Sequence, residues 1–110
     1  MSNFNTFNSV NSGRWRHRLE FDAAGGTTQW IPVREYEITV AAKPITGTVR
    51  AEFTWSPIEV VIADNANATS LAIKKAWANG DAAAEAVDTV RRASAVRFVA
   101  TAAAVCELAA

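Results

Sequence analysis

Apolar and polar positions alternate at period two along several short stretches of the chain, and each such stretch reads as a strand with one buried face. Residues 94–108 carry the clearest pattern. Val96, Phe98 and Ala100 fall on one side and Arg97 and Thr101 on the other; after three alanines, Ala104, Cys106 and Leu108 alternate with Val105 and Glu107. This spacing predicts a terminal hairpin that closes a sheet. In residues 14–21, Trp15, His17, Leu19 and Phe21 share one face, and Arg14, Arg16, Arg18 and Glu20 the other. Residues 34–40 put Tyr36, Ile38 and Val40 inward, with Glu35, Glu37 and Thr39 outward. Laid beside the preceding strand, they bring Glu35 and Glu37 opposite Arg16 and Arg18, which would help to fix the register. Residues 48–55 repeat the alternation, with Val49, Ala51, Phe53 and Trp55 inward and Arg50, Glu52 and Thr54 outward.

The breaks between these runs are turn chemistry. Residues 22–28 contain Gly25-Gly26, which tolerate positive φ, and so predict a hairpin; Pro32 belongs at a strand end or a sheet edge. Pro44 and Gly47 interrupt the next pair of strands, and Ser56-Pro57 ends the run before it. Residues 58–63 are almost continuously apolar, consistent with a short strand covered on both faces or lying at a subunit contact. Residues 64–92 are ambiguous. Alanine-rich residues 82–92 favour helix, with Asp81 as an N-cap, whereas Asn79-Gly80 favours a two-residue hairpin turn. Because the flanking segments are strands, the stretch is read as mainly extended and loop structure, with room for one short helix in residues 70–92. The fold class is therefore all-β: a small antiparallel β-sandwich or jelly roll over residues 14–110. Residues 1–13, rich in Asn and Ser, read as a flexible N-terminal arm whose Phe4, Phe7 and Val10, spaced by three, would dock on a neighbouring subunit.

Composition narrows the partners. With 110 residues the chain is one domain, and eleven basic side chains balance eleven acidic ones. No net field draws it to nucleic acid or to an anionic membrane, although Arg14, Arg16 and Arg18 form a basic row that a partner could use. Cys106 is the one cysteine and falls on an inward position, as a small buried hydrophobe would. No secretory signal and no membrane-spanning run is visible, so synthesis and folding in a cytoplasm are expected.

Candidate chemistry is sparse. His17 is the only histidine, placed among Trp15, Leu19 and Phe21, and no nucleophile motif accompanies it. One thiol and one imidazole do not make a zinc site. Asp64, Asn65 and Asn67 offer closely spaced oxygens but lack the remaining acidic positions of a calcium loop, and read as a turn. No cofactor and no catalytic activity are expected. Four tryptophans, at 15, 30, 55 and 77, are most simply core anchors; exposed ones would instead suit a carbohydrate-binding sandwich.

The succession of Val-Arg-Ala-Glu-Phe-Thr-Trp-Ser at 49–56, Trp-Ala-Asn-Gly-Asp at 77–81, Asp88-Thr89, Ala-Val-Arg-Phe-Val-Ala-Thr at 95–101 and Val-Cys-Glu-Leu at 105–108 resembles small β-sandwich virion proteins of tailed bacteriophages. Where those proteins carry glycine in the final turn, this chain has Ala102-Ala103-Ala104. The resemblance implies a structural virion protein that decorates or cements the capsid or sits as a head or tail accessory. Its partners would be the major capsid protein and further copies of itself, in a homo-oligomer, and its location the virion. It also implies that residues 82–92 are not a long helix.

Overall fold

A computed structural model describes the backbone of residues 4–11 and 14–110 and the side chains from Trp15 onward. The described residues form an antiparallel β-sandwich of two five-stranded sheets with one short helix. The first sheet has the order β1 (Phe4–Asn11), β2 (Arg14–Phe21), β10 (Ala104–Ala109), β5 (Glu37–Pro44) and β8 (Ala86–Arg91). In the second, β9 (Ala95–Ala100) pairs on one side with β3 (Gly26–Thr27) and β4 (Ile31–Pro32), and on the other with β6 (Val49–Thr54), which in turn pairs with β7 (Lys74–Ala76). Helix α1 (Ile58–Asn67) sits between β6 and β7 in sequence.

Most connections switch sheets, which corrects three expected pairings while leaving the core-facing sides of the strands as the alternation placed them. Residues 94–108 are not a hairpin: β9 lies in the second sheet and β10 in the first, where β10 inserts between β2 and β5. Residues 22–28 likewise carry the chain from β2 across to β3 rather than back on itself. With β10 between β2 and β5, Arg16 and Arg18 cannot face Glu35 and Glu37. Arg18 instead bonds Glu107 at 2.7 Å and Glu20 at 3.0 Å, and Glu37 takes Arg91 at 2.6 Å.

The crossings need small residues. Gly25 has φ +65°, and its amide closes a turn onto the Asp22 carbonyl. A Cβ there would meet the Ala100 carbonyl oxygen at 2.4 Å and the Ala102 nitrogen at 2.8 Å. Gly47, also at positive φ, lies against Thr101 and Ala102 from the other side. The alanine run of residues 102–104 is thus a tight passage between sheets, pinned where the Thr101 hydroxyl accepts the Thr48 amide at 2.8 Å.

Between the sheets lies the main core. Leu19, Ile38, Val40, Cys106 and Leu108 from the first sheet meet Val49, Phe53, Val96 and Phe98 from the second, all at most 4% exposed. Burial pushes the Cys106 thiol up to about 12, so it stays protonated as a packing group. Trp77 is buried here too, its Nε1 donating to the Gly80 carbonyl at 2.6 Å across the Asn79-Gly80 turn.

The continuous apolar run at 58–63 forms α1 rather than a strand, and residues 70–92 contain no helix. Pro57, which cannot donate an amide, occupies the N-cap position, Glu59 favours the first turn, and Ala68 in the left-handed region ends the helix. Val61 and Asp64, three apart, are its buried face, packing with Trp30, Ala72 and Ala95 as a satellite core on the outside of the second sheet. Asp64, Asn65 and Asn67, expected in a turn, instead form the last part of α1, and the Asp64 carboxylate is taken up locally. Its Oδ1 accepts the Thr69 hydroxyl at 2.6 Å and the Leu71 amide at 2.8 Å, and its Oδ2 the Ala72 amide at 2.8 Å. The Thr69 bond first, then those amides, hold its carboxyl below the usual aspartate range despite desolvation. Asn65 brackets Trp30, accepting its amide and donating to its carbonyl.

The expected arm is partly corrected. Residues 4–11 are the edge strand β1, paired along all eight positions with β2, from Phe4 opposite Phe21 to Asn11 opposite Arg14. Residues 1–3 and 12–13 lie outside the described residues.

Candidate interaction surfaces

Three segments far apart in sequence meet at one end of the sandwich. The Val33 amide donates to the Ser94 carbonyl at 2.9 Å and the Arg92 amide to the Tyr36 carbonyl at 2.7 Å, which zips residues 33–36 to 92–94. Arg92 has φ +59°, a left-handed turn that lays its guanidinium over the Tyr36 ring at 5.2 Å. Helix α1 forms the opposite wall, with Ile58 and Ile62 one turn apart. The resulting open groove has a volume of about 590 Å³.

Its lining is unusual for a water-facing surface. Tyr36 is 60% exposed, Ile62 58% and Ile58 41%. Trp55 stands nearby at the end of β6, half exposed, edge-on to Phe53, its Nε1 donating to the Arg91 carbonyl at 3.0 Å. Tyr36 and Trp55 were both expected inward. Each lies just outside its strand, Tyr36 before β5 and Trp55 after β6, where the alternation no longer dictates a face. Among the described residues neither Arg34 nor Arg92 is in an ion pair, so the groove carries two guanidinium groups without a carboxylate partner, Arg92 stacked on Tyr36, alongside Glu35 and the apolar wall.

The residues expected to bind partners are dispersed. Phe4, Phe7 and Val10 occupy register positions opposite Phe21, Arg18 and Trp15 on β1, and Arg14 begins β2; for these four, only the backbone is described. Arg16 turns to the chain end, its Nη1 donating to the Ala110 carbonyl at 2.8 Å. Arg18, held by Glu20 and Glu107, rims a smaller depression of about 350 Å³ on the outer face of the first sheet, with Val87, Val105 and Ile45. Arg16 and Arg18, the two of the arginine row whose side chains are described, are thus both engaged within the chain. His17 stacks on Trp15 with ring centroids 5.7 Å apart, and burial lowers its pKa. Among the described residues its Nδ1 has no hydrogen-bond partner, and no group of three or more His, Cys, Asp or Glu is placed to hold a metal ion.

The second sheet carries a buried charge network. Glu52, 4% exposed, accepts Arg97 at 2.6 Å and Arg50 at 2.9 Å; Arg50 also reaches Asp81 at 3.1 Å, and Arg97 lies 4.6 Å over the Trp30 ring. Arg97 thus ties the sheet to the satellite core under α1.

No family model and no curated protein matches the chain. Solved structures do. It is similar to a recombinant oxalate oxidase in complex with glycolate, at 10% identity and TM-score 0.50, over 97% of this chain and 50% of that one. It is also similar to the Schizosaccharomyces pombe Cnp3 cupin domain, at 14% identity and TM-score 0.45, over 97% and 62%. A third likeness, at 17% identity and TM-score 0.43, is to Bacillus endospore appendages that form disulfide-linked pili, over 99% and 91%. At such identities the likeness establishes the double-sheet fold alone. The chain spans about half the length of the oxalate oxidase.

Proposed function

We propose that this chain is a structural virion protein of a tailed bacteriophage that decorates or cements the capsid through protein–protein contacts rather than catalysis. The observation that carries the reading is the groove: Tyr36, Ile58 and Ile62 stay exposed together on a domain whose two cores are otherwise well filled. A patch of this kind marks a contact surface, and unpaired Arg34 and Arg92 suit a capsid segment bearing an apolar side chain beside a carboxylate. The sequence resemblance supplies the phage assignment, and the likeness to solved structures contributes only the fold.

Ile62→Asp tests the contact. Ile62 is mostly exposed, so its loss changes stability by no more than about 0.5 kcal/mol, while a charge set into the apolar wall weakens capsid binding at least tenfold. Binding would be measured by co-sedimentation of the purified chain with capsids of the phage that encodes it. Undiminished binding by a folded Ile62→Asp protein excludes the groove as the contact.

One observation favours a second reading, a carbohydrate-binding module: Trp55 is 47% exposed beside polar Arg91. On that reading, oligosaccharides quench the indole fluorescence saturably and Trp55→Ala abolishes the effect. Trp30 and Trp77, both buried, cannot serve as stacking platforms.

A further inference from the structure

The sheet edges differ in how well they are guarded against pairing with another chain. In the second sheet, β7 has three residues, two of them Lys74 and Lys75, while β3 and β4 have two each and β4 ends in Pro32. In the first, β8 carries Asp88 and Arg91, and its Val87 carbonyl already accepts the Asn79 side chain at 3.3 Å. Short strands, charges, proline and capping side chains are the usual means of blunting an edge. Strand β1 lacks the first three: it is eight residues long, uncharged and free of proline, and among the described residues no strand pairs with its outer side.

Its sequence is also symmetric in kind. Reading Phe-Asn-Thr-Phe-Asn-Ser-Val-Asn, an antiparallel pairing of β1 with itself about Phe7 sets Phe4 opposite Val10, Asn5 opposite Ser9, Thr6 opposite Asn8 and Phe7 opposite Phe7. Apolar meets apolar and polar meets polar at every one of these positions. The spacing of three that has no meaning on one face of a strand acquires one across a two-fold axis, where an isologous contact requires self-complementarity.

We propose that β1 is a homodimerisation edge: two copies of this chain pair antiparallel through residues 4–10, centred on Phe7, joining their five-stranded sheets into one continuous sheet. The inference rests on the reading of the chain as an assembling subunit and names the partner as a second copy.

A charge swap at the two-fold position tests it. In sedimentation velocity the unmodified chain runs as a dimer. Phe7→Lys and Phe7→Glu each place like charges opposite themselves and run as monomers, and their equimolar mixture restores a dimer. A monomeric unmodified chain, a persistent dimer in either variant alone, or a mixture that stays monomeric overturns the proposal. Hydrogen exchange on the unmodified chain reads the same contact without substitution. An edge strand protects only alternate amides, so concentrating the protein should protect the remaining set within residues 4–10; protection independent of concentration overturns it. A monomer that still co-purifies with virions sinks the edge pairing and leaves the virion reading standing, and a dimer absent from virions does the reverse.

Discussion

Gly25→Ala is expected to cost about 2–4 kcal/mol of unfolding free energy, because two penalties coincide at this position. The left-handed backbone at φ +65° disfavours any side chain, and the new Cβ would lie 2.4 Å from the Ala100 carbonyl oxygen, a backbone atom that cannot swing aside. Relief requires moving either the β2–β3 crossing or the β9–β10 passage, and both are locked by ladders in opposite sheets. Gly80→Ala supplies the control. It has nearly the same φ, +59°, but nothing lies within 4 Å of the added carbon, so only the conformational cost of about 1–2 kcal/mol applies. Denaturant unfolding of the two variants measures the difference directly; equal losses would show that the crossings do not pack as described.

The second large effect belongs to Glu52. Replacing it with Gln leaves Arg97, mostly buried, without its anion and is expected to cost about 2–3 kcal/mol. The pH dependence follows from the same geometry. Burial raises the Glu52 pKa, but hydrogen bonds from Arg97 and Arg50, with their charges, outweigh it and hold the carboxyl below its ordinary value of 4.5. A depressed folded-state pKa gives stability that is complete above the unfolded value and is lost as pH falls through the folded one. The gap in melting temperature between the unmodified chain and Glu52→Gln should therefore be full at neutral pH and close progressively below about pH 4.5. A gap that is constant down to acid pH would mean that the network contributes nothing through its charge.

These residues also show what a sequence of this type discloses. The faces of β2, β5, β6, β9 and β10 were legible because a strand with one buried side must alternate, and Leu19, Val40, Phe53, Phe98 and Cys106 are buried as the pattern demands. Which strands are neighbours was not legible. Alternation carries no information about pairing when consecutive strands switch sheets, so by pattern alone β9 and β10 read as a hairpin and Arg18 as a partner of Glu35 or Glu37. Helix α1 was misread because Ile58, Val60, Val61 and Ile62 are β-branched and nearly contiguous. The better signals were Pro57 at the N-cap and Glu59 in the first turn, with Val61 and Asp64 buried three apart. Glu52 and Thr54 lie on the outward side of β6, yet both are buried, since the second sheet is covered from outside near α1 and residues 70–73.

The groove was hidden for a related reason. Its three segments, residues 32–36, 58–62 and 92–94, are far apart in sequence and are brought together only by the folded topology, and each taken alone passes for ordinary strand or loop. Tyr36 fitted an inward position by parity, although β5 begins one residue later. Phe4, Phe7 and Val10 drew attention by their spacing, but only their place on a sheet edge gives that spacing a use. Removing residues 2–12 would take away β1 and uncover the whole edge of β2, so these residues belong to the sheet rather than to a detachable arm.

Copy number in particles decides the central claim most directly. If the proposed virion role holds, quantitative mass spectrometry of purified virions from the source genome should find the chain at a fixed, high ratio to the major capsid protein, retained through density-gradient purification. Its absence from particles, while it accumulates in the infected cell, would contradict the structural role.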